Sequence, residues 1–186
     1  MKSLLAAKLA GILELTPLAL DRLAAHYAYL LRWNEKMNLT TITAVDEVVE
    51  RHYAESVWVA TQLPTGLATI ADIGSGPGFP GVGIAAARSD LQVTLVEADI
   101  RKMAFLKEST RGWGNVDVLH RRAEQIVGRQ WDALTARAVR PADVARLMPR
   151  LAPVAYLLVG HEDVHGQAPV QLPWGDNRYL DTVRRS

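Results

Sequence analysis

The chain has 186 residues, of which 49% are hydrophobic and 22% are charged. These values predict one globular domain that buries a core of its own. The formal net charge of +1 excludes the overall basic field of a dedicated nucleic-acid binder, so any nucleic-acid surface must be a local patch. Because the sequence contains no cysteine, it excludes disulfides, thiolate metal sites and a cysteine nucleophile. The cytoplasm is the expected location, and no metal site is predicted.

The first third of the sequence predicts helices. Lys8 and Glu14 interrupt the apolar N-terminus, which favours an amphipathic helix over a signal peptide. Thr16 and Pro17 are typical of the N-cap and the first residue of a second helix. Segment 43–46 resembles a capping box and predicts the start of a third helix. No stretch approaches the ~18 uncharged apolar residues of a membrane span, so no membrane association is expected.

The pattern of apolar residues changes after residues 64–66, where Pro-Thr-Gly marks a break between elements. Short apolar runs then alternate with helical segments, which predicts βαβ units and a parallel sheet. Strands are predicted at 68–73, 93–97, 116–120, 133–137 and 154–159, and helices at 81–88, 101–112, 123–127 and 143–151. The predicted fold class is α/β, with a mostly parallel, Rossmann-like sheet covered by helices on both faces. Residues 1–186 are expected to form one domain, with a helical extension (1–63) and a core (64–186) whose last 27 residues show no clear pattern.

A glycine-rich loop follows the first predicted strand and fits two frames. Gly76, Gly78 and Gly81 satisfy G-x-G-x-x-G, the dinucleotide fingerprint expected of a nicotinamide-dependent oxidoreductase. That fingerprint should begin where the strand ends, which is at Gly74. The frame D-x-G-x-G-x-G, which begins at Asp72, instead resembles the first motif of Rossmann-like methyltransferases. This resemblance implies S-adenosylmethionine as the cofactor, with Asp72 steadying the loop and the aminoacyl end of the cofactor, and with Gly74 and Gly76 under it.

Glu97 ends the second predicted strand, about 25 residues after Asp72. A carboxylate at this place can accept hydrogen bonds from both ribose hydroxyls of a nucleoside cofactor. Nicotinamide enzymes and methyltransferases both place an acid here. Glu97 therefore supports a nucleoside cofactor without choosing between the two.

Five motifs resemble those of one family, and the match covers residues 30–159. They are W-N-x-x-x-N-L-T at 33–40, R-H-x-x-D-S at 51–56, G-S/T-G-x-G-x-P-G at 74–81, K-R/K-x-x-F-L at 101–106 and S/A-R-A at 136–138. The family is that of the bacterial small-subunit (16S) ribosomal RNA guanine-N(7) methyltransferase G. The sequence departs from it in two motifs, and its C-terminal strands are expected to be shorter than those of the family. Glu55 replaces the aspartate of the second motif, and Val159-Gly160-His161 stands where the family usually has L-K-G.

The resemblance implies methyl transfer to N(7) of a guanine in 16S ribosomal RNA, with ribosomal RNA or a ribosomal subunit as the partner. It implies cofactor contacts at Gly74, Phe79, Ala123, Glu124 and Arg137. Arg137, at the end of the fourth predicted strand, is the candidate catalytic residue, as a fixed cation that faces the cofactor carboxylate or the RNA. Because of the two departures, a module that binds the cofactor or the ribosome without full activity remains an alternative. A monomer is the expected state.

Two clusters of basic residues are candidates for contacts with RNA phosphates. The first lies between residues 101 and 122, where there are six basic residues and two acids. The second consists of Arg32, Lys36, Arg51 and His52. The predicted RNA contacts are Arg101, Lys102, Arg51 and His52. Trp33 and Tyr53 either stack on an extruded base or pack in the core.

Three absences in the sequence indicate which atom is methylated. Enzymes that methylate pyrimidine carbon 5 in RNA commonly add a cysteine to the ring, and the chain has none. The turn at 136–141 lacks the Asn/Asp-Pro-Pro-aromatic motif that is typical of exocyclic-amine methylation, and no lysine–acid pair for a ribose hydroxyl is evident. A ring nitrogen with a free lone pair, such as guanine N(7), needs no general base. The rate is therefore expected to be independent of pH above the titration of the carboxylates.

Overall fold

A seven-stranded sheet forms the centre of the computed structural model, which describes residues 1–166 and 168–185. Its strands are β1 (Thr69–Ile73), β2 (Gln92–Glu97), β3 (Val116–His120), β4 (Ala133–Arg137), β5 (Val154–Gly160), β6 (Val170–Gln171) and β7 (Arg178–Arg184). They lie in the order β3-β2-β1-β4-β5-β7-β6. β1 to β5 run parallel, whereas β7 runs antiparallel to both β5 and β6. The five predicted strands are confirmed to within one residue at each end, and β6 and β7 lie in the tail that showed no pattern.

Seven α-helices accompany the sheet in the part of the chain that the structure describes. They are α1 (Lys2–Lys8), α2 (Pro17–Met37), α3 (Val45–Val48), α4 (Glu55–Gln62), α5 (Gly81–Ala87), α6 (Ile100–Ser109) and α7 (Pro141–Leu151). A π-helical segment, Val49–Ala54, joins α3 to α4, and short 3₁₀ turns occupy Ala123–Gln125 and His161–Asp163. None of these helices is long and apolar enough to cross a membrane.

The two predicted helix starts have different outcomes. The Thr16 hydroxyl oxygen accepts a hydrogen bond from the Ala19 N–H at 3.2 Å, and Pro17 opens α2, so that start is confirmed. The capping box at 43–46 is wrong. Ala44 is the N-cap of α3 and has no side chain that can accept a hydrogen bond, so the Thr43 hydroxyl is one position too early to cap the helix.

Hydrophobic side chains are buried on both faces of the sheet, because successive strand residues point to opposite sides. In β1, Ile70 packs in a cluster with α1, α2, α4, α5 and α6, whereas the next residue, Ala71, packs in a second cluster with α7. This arrangement confirms the predicted α/β class with helices on both faces.

The N-terminal helices come very close to the core at Gly83 of α5. A Cβ atom on this residue would lie 2.3 Å from Cβ of Ser56 in α4, a distance that side chains do not tolerate. The Ser56 hydroxyl in turn donates to the carbonyl of His52. The serine of the second motif thus packs α4 against α5 and places the π-helical segment at the carboxyl ends of β1 and β4.

Candidate active site

The glycine loop after β1 is held by backbone hydrogen bonds to the neighbouring strand. The N–H groups of Gly74 and Ser75 both donate to the carbonyl of Val96, each at 3.0 Å. Gly74 has φ +68°, Gly76 +56° and Gly78 +100°, values that side-chain-bearing residues rarely adopt. The loop lies between β2 and β4 on either side of β1, where an open parallel sheet has its binding crevice.

Asp72 lies beneath this loop and has no accessible surface. Its Oδ2 accepts a hydrogen bond from the Gly81 N–H at 3.0 Å, whereas Oδ1 is buried with no partner among the described residues. Burial raises the pKa of Asp72 to about 7. The geometry fits the predicted role of steadying the loop. It does not fit the predicted contact with the aminoacyl end of a cofactor, because the carboxylate is sealed under the backbone.

Glu97 ties the glycine loop to the loop that follows β2. Its Oε2 accepts from the Gly76 N–H at 2.9 Å, and its Oε1 accepts from the Asp99 N–H at 2.8 Å. The side chain of Asp99 then caps α6 by accepting from the N–H groups of Arg101 and Lys102. Each oxygen of Glu97 keeps one further lone pair, so the carboxylate can accept from a ligand without releasing either loop.

Two of the predicted cofactor contacts lie on the 3₁₀ turn after β3, beside the loop that follows β2. Ala123 is buried and Glu124 is exposed. The carbonyl of Glu124 accepts from Nη2 of Arg150 in α7 at 3.2 Å, which fixes the turn against the helix. The structure therefore brings this turn, the glycine loop and Glu97 to one edge of the sheet.

Arg137, at the end of β4, is held by the π-helical segment. Its Nη1 donates to the carbonyl of Arg51 at 2.6 Å, and its Nη2 lies 3.0 Å from Nδ1 of His52. In an α-helix the Arg51 carbonyl would accept from the N–H of Glu55, but that N–H bonds to Glu50 in the π-helical pattern. Burial lowers the pKa of Arg137 to about 10, while the nearby Glu55 carboxylate opposes this shift, so the guanidinium stays charged at neutral pH.

His52 is buried, and both of its ring nitrogens have partners. The imidazole stacks on Phe79 with ring centroids 4.7 Å apart, and its Nε2 lies 2.9 Å from the Thr40 hydroxyl oxygen. Burial, and after it the charge of Arg137, lower the pKa of His52 to about 3. His52 lines a pocket as a neutral ring with no free nitrogen, and its contact with RNA stays a prediction.

Phe79, which the family resemblance implies as a cofactor contact, has its side chain buried in the core. Its side chain is 2% exposed and lies among the rings of His26, His52 and Tyr53. A cofactor contact at this position would therefore have to come from the backbone. Tyr53 is fully buried, and its hydroxyl lies 2.8 Å from Nδ1 of His26, so it packs in the core rather than stacking on a base.

A pocket of about 410 Å³ opens beyond the carboxyl ends of β4 and β5. Its lining includes the arginines at 51, 137, 140 and 178 together with Asp163. Arg178 also forms an ion pair with Glu55, at 2.6 Å between Nη2 and Oε2. Burial raises the pKa of Glu55, and the Arg178 charge opposes the shift. Arg51 and Arg140 are also paired, with Glu47 and Asp143, so Arg137 is the pocket arginine without a carboxylate partner among the described residues.

Arg178 is the site residue that sequence reasoning missed. It begins β7, and its register partner in β5 is Gly160, within the segment that departs from the family motif. A run of Tyr, Leu, Thr and Val after Gly175 was the available strand signal. No local pattern, however, indicates that this strand pairs with β5 and carries its first residue to the pocket.

The remaining predicted residues lie at the surface near this edge. Arg101 is exposed in the first turn of α6, and Lys102 beside it is partly exposed. Trp33 is partly buried against Phe105, with ring centroids 5.8 Å apart. Among the described residues, no group of three or more His, Asp or Glu side chains could hold a metal ion.

The sheet order, the antiparallel β7 and the glycine loop at the crevice beside β1 define a Rossmann-like methyltransferase fold. Two solved methyltransferase structures share this fold. The mitomycin 7-O-methyltransferase MmcR is 16% identical with a TM-score of 0.55, and the match covers 88% of this chain and 72% of that one. The 23S rRNA methyltransferase ErmE is 16% identical with a TM-score of 0.53, over 71% of this chain and 67% of that one.

The chain belongs to the rRNA small subunit methyltransferase G family, whose model matches residues 19–155. It is 43% identical over 134 residues to the ribosomal RNA small subunit methyltransferase G of Rhodospirillum centenum, covering 72% of this chain and 61% of that one. The enzyme of the same name from Halorhodospira halophila is 38% identical over 139 residues, covering 74% of this chain and 65% of that one. The chain thus spans less than two thirds of the length of these relatives. The predicted family is confirmed.

Proposed function

We propose that this protein transfers a methyl group from S-adenosylmethionine to N(7) of a guanine in small-subunit (16S) ribosomal RNA. The observation that carries the proposal is the juxtaposition of a carboxylate-braced glycine loop and an arginine-lined pocket at one edge of the sheet. The loop suits a nucleoside cofactor, and the pocket suits a polyanion. Membership of the rRNA methyltransferase G family supports the same pair of ligands.

The residues around the loop fit the cofactor. Glu97 has lone pairs left for two ribose hydroxyls, and it holds the backbone of Gly76 in the same loop as Gly74 and Phe79. The turn at Ala123–Gln125 offers main-chain groups for the adenine edge, as the family motif implies. When bound, S-adenosylmethionine supplies a methyl group bonded to a positively charged sulfur. The role of Asp72 is to hold the loop and α5 together beneath the cofactor.

The pocket suits an RNA substrate whose target atom needs no deprotonation. The arginines at 51, 137, 140 and 178 can neutralise phosphates around an extruded guanine. Of the groups that could serve as a base, His52 has both nitrogens engaged and Glu55 is paired with Arg178. The remaining carboxylate, that of Asp163 in the pocket lining, is exposed. Guanine N(7) carries no proton, so orientation of the reacting atoms supplies most of the rate enhancement.

The partner is ribosomal RNA or a small ribosomal subunit, and the cytoplasm is therefore the place of action. Arg101 and Lys102 lie beside the loop that Glu97 braces, so they can extend the RNA surface from the pocket across the cofactor crevice. A monomer is sufficient for this arrangement, because all of these residues come from one chain.

The proposal is tested by methyl transfer from isotopically labelled S-adenosylmethionine to small ribosomal subunits that lack the modification. We expect label in the RNA and tight binding of S-adenosylhomocysteine, but not of NAD, in calorimetry. Binding of S-adenosylhomocysteine without transfer to subunits or free RNA would instead indicate a cofactor-binding module, which the Glu55 and Val159 departures make the second candidate. Binding of NAD would indicate an oxidoreductase.

A further inference from the structure

A continuous line of hydrogen bonds runs from the first family motif to Arg137. The Asn34 side chain donates from Nδ2 to the carbonyl of Thr40 at 3.0 Å and accepts at Oδ1 from the Thr40 N–H at 2.8 Å. The Thr40 hydroxyl oxygen lies 2.9 Å from Nε2 of His52, and Nδ1 of His52 lies 3.0 Å from Nη2 of Arg137. Three motifs that are far apart in the sequence thus meet in one network.

The direction of these bonds follows from the chemistry of the groups. A guanidinium only donates, so Nδ1 of His52 must accept, and the proton of the neutral ring must be on Nε2. Nε2 therefore donates to the Thr40 hydroxyl oxygen, which also accepts from the Ile42 N–H at 3.1 Å. Each member of the line fixes the tautomer or orientation of the next. The ring of His52 is also clamped by stacking on Phe79.

Arg137 and His52 both line the pocket, but only Arg137 has N–H groups left over for a ligand. Two of its N–H groups are used by the Arg51 carbonyl and by His52. The others form no hydrogen bond within the described part of the chain, although the side chain lines the pocket. Since an arginine side chain is flexible, a charge aimed by two fixed acceptors is ready for a ligand without paying the entropy of ordering.

We propose that Asn34, Thr40 and His52 are positioning residues that aim the Arg137 guanidinium into the pocket at an oxyanion of the bound reactants. The proposal rests on the proposed function, because it gives Arg137 a task in that reaction. The oxyanion is either the cofactor carboxylate or an RNA phosphate. Asn34 and Thr40 lie outside the pocket lining, and His52 lines it with both ring nitrogens already engaged.

The test compares Thr40→Val, which keeps the shape but removes the hydroxyl acceptor, with Thr40→Ser, which keeps the hydroxyl. We expect Thr40→Val to lower kcat/KM for methyl transfer about tenfold or more, and Thr40→Ser to recover most of that loss. In an Arg137→Ala background, Thr40→Val should cause no further loss, because the line acts through Arg137. Equal losses in both backgrounds would overturn the proposal.

Two further readouts separate this proposal from the proposed function. Nitrogen chemical shifts of His52 should report the Nε2-protonated tautomer in the wild-type chain and a change in Thr40→Val, whether or not methyl transfer is observed. An Nδ1-protonated ring in the wild-type chain would overturn the relay. Calorimetry with S-adenosylhomocysteine identifies the oxyanion. Weaker binding in Arg137→Ala and Thr40→Val indicates the cofactor carboxylate, whereas unchanged binding with a shallower salt dependence for RNA indicates a phosphate.

Discussion

The glycine loop and the arginine pocket share one edge of the sheet, but they are built in different ways. The loop is made of backbone groups from a short segment and is braced by two carboxylates, those of Glu97 and Asp72. The arginines of the pocket come from three distant places: the π-helical segment, the end of β4 with the turn that follows it, and the start of β7. A backbone-built site depends on local sequence, whereas a site built from side chains depends on long-range pairing and on buried polar contacts.

The largest effect is expected where the pocket depends on long-range pairing. Arg178→Ala leaves the Glu55 carboxylate buried without its cation, so the free energy of unfolding should fall by about 3 kcal/mol. The loss should be smaller at pH 5 than at pH 8, because burial raises the pKa of Glu55 and the protonated form needs no partner. Urea unfolding at both pH values measures the effect.

The matched control for that variant is the Glu55→Met/Arg178→Ala double variant, which removes both charges. It should be more stable than Arg178→Ala alone, since no unpaired charge remains in the core. A double variant that is less stable than the single one would show that the ion pair does not hold β7 to α4.

The loop can be broken at Glu97. Glu97→Ala removes the carboxylate that we propose as the acceptor for the ribose hydroxyls, so binding of S-adenosylmethionine should weaken by about 1.5–3 kcal/mol in calorimetry. Because the same carboxylate holds Gly76 and Asp99, the melting temperature should also fall while the fold survives. Glu97→Gln keeps one acceptor oxygen and should lie between the two. Unchanged cofactor affinity in a folded Glu97→Ala protein would contradict the assignment.

Asp72 offers a smaller, pH-dependent test of the same loop. A carboxyl with its folded-state pKa raised to about 7 stabilises the protein below its ordinary pKa, and this contribution is lost as the pH rises through 7. The wild-type chain should therefore lose about 1 kcal/mol relative to Asp72→Asn between pH 6 and pH 8. Urea unfolding at these two pH values provides the comparison. A stability difference that does not change with pH would show that Asp72 does not titrate between pH 6 and pH 8 in the folded protein.

The smallest effect is expected at the exposed surface beside the crevice. Arg101→Ala/Lys102→Ala should bind RNA more weakly, with a salt slope shallower by about 1 for each lost phosphate contact. Cofactor affinity should hardly change. Arg146→Ala, an exposed arginine on α7 outside the pocket, is the control for nonspecific charge. An identical salt slope in the double variant would confine the RNA surface to the pocket.

The contrast between the two regions also explains what the sequence could predict. Local patterns predict the succession of strands and helices along the chain. They also predict the glycine loop at Gly74 and the carboxylate at Glu97, which the structure places together. His52 is predicted as an RNA contact because it belongs to a cluster of basic residues around Arg51. Its burial depends on the π-helical segment and on Arg137, which is 85 residues away. The position of Arg178 in the pocket could not be predicted, because no local sequence pattern indicates that β7 pairs with β5.

The most direct test of the central claim concerns the methylated atom. RNA from the methyl-transfer reaction is treated with borohydride and aniline, which cleave the chain at N(7)-methylguanosine, while the initial rate is measured across the pH range. The account predicts cleavage at the labelled guanine and a rate that reaches a plateau once the carboxylates are ionised, including Asp72 with its pKa of about 7. Label in the RNA without cleavage, or a rate that still climbs tenfold per pH unit well above pH 8, would contradict it.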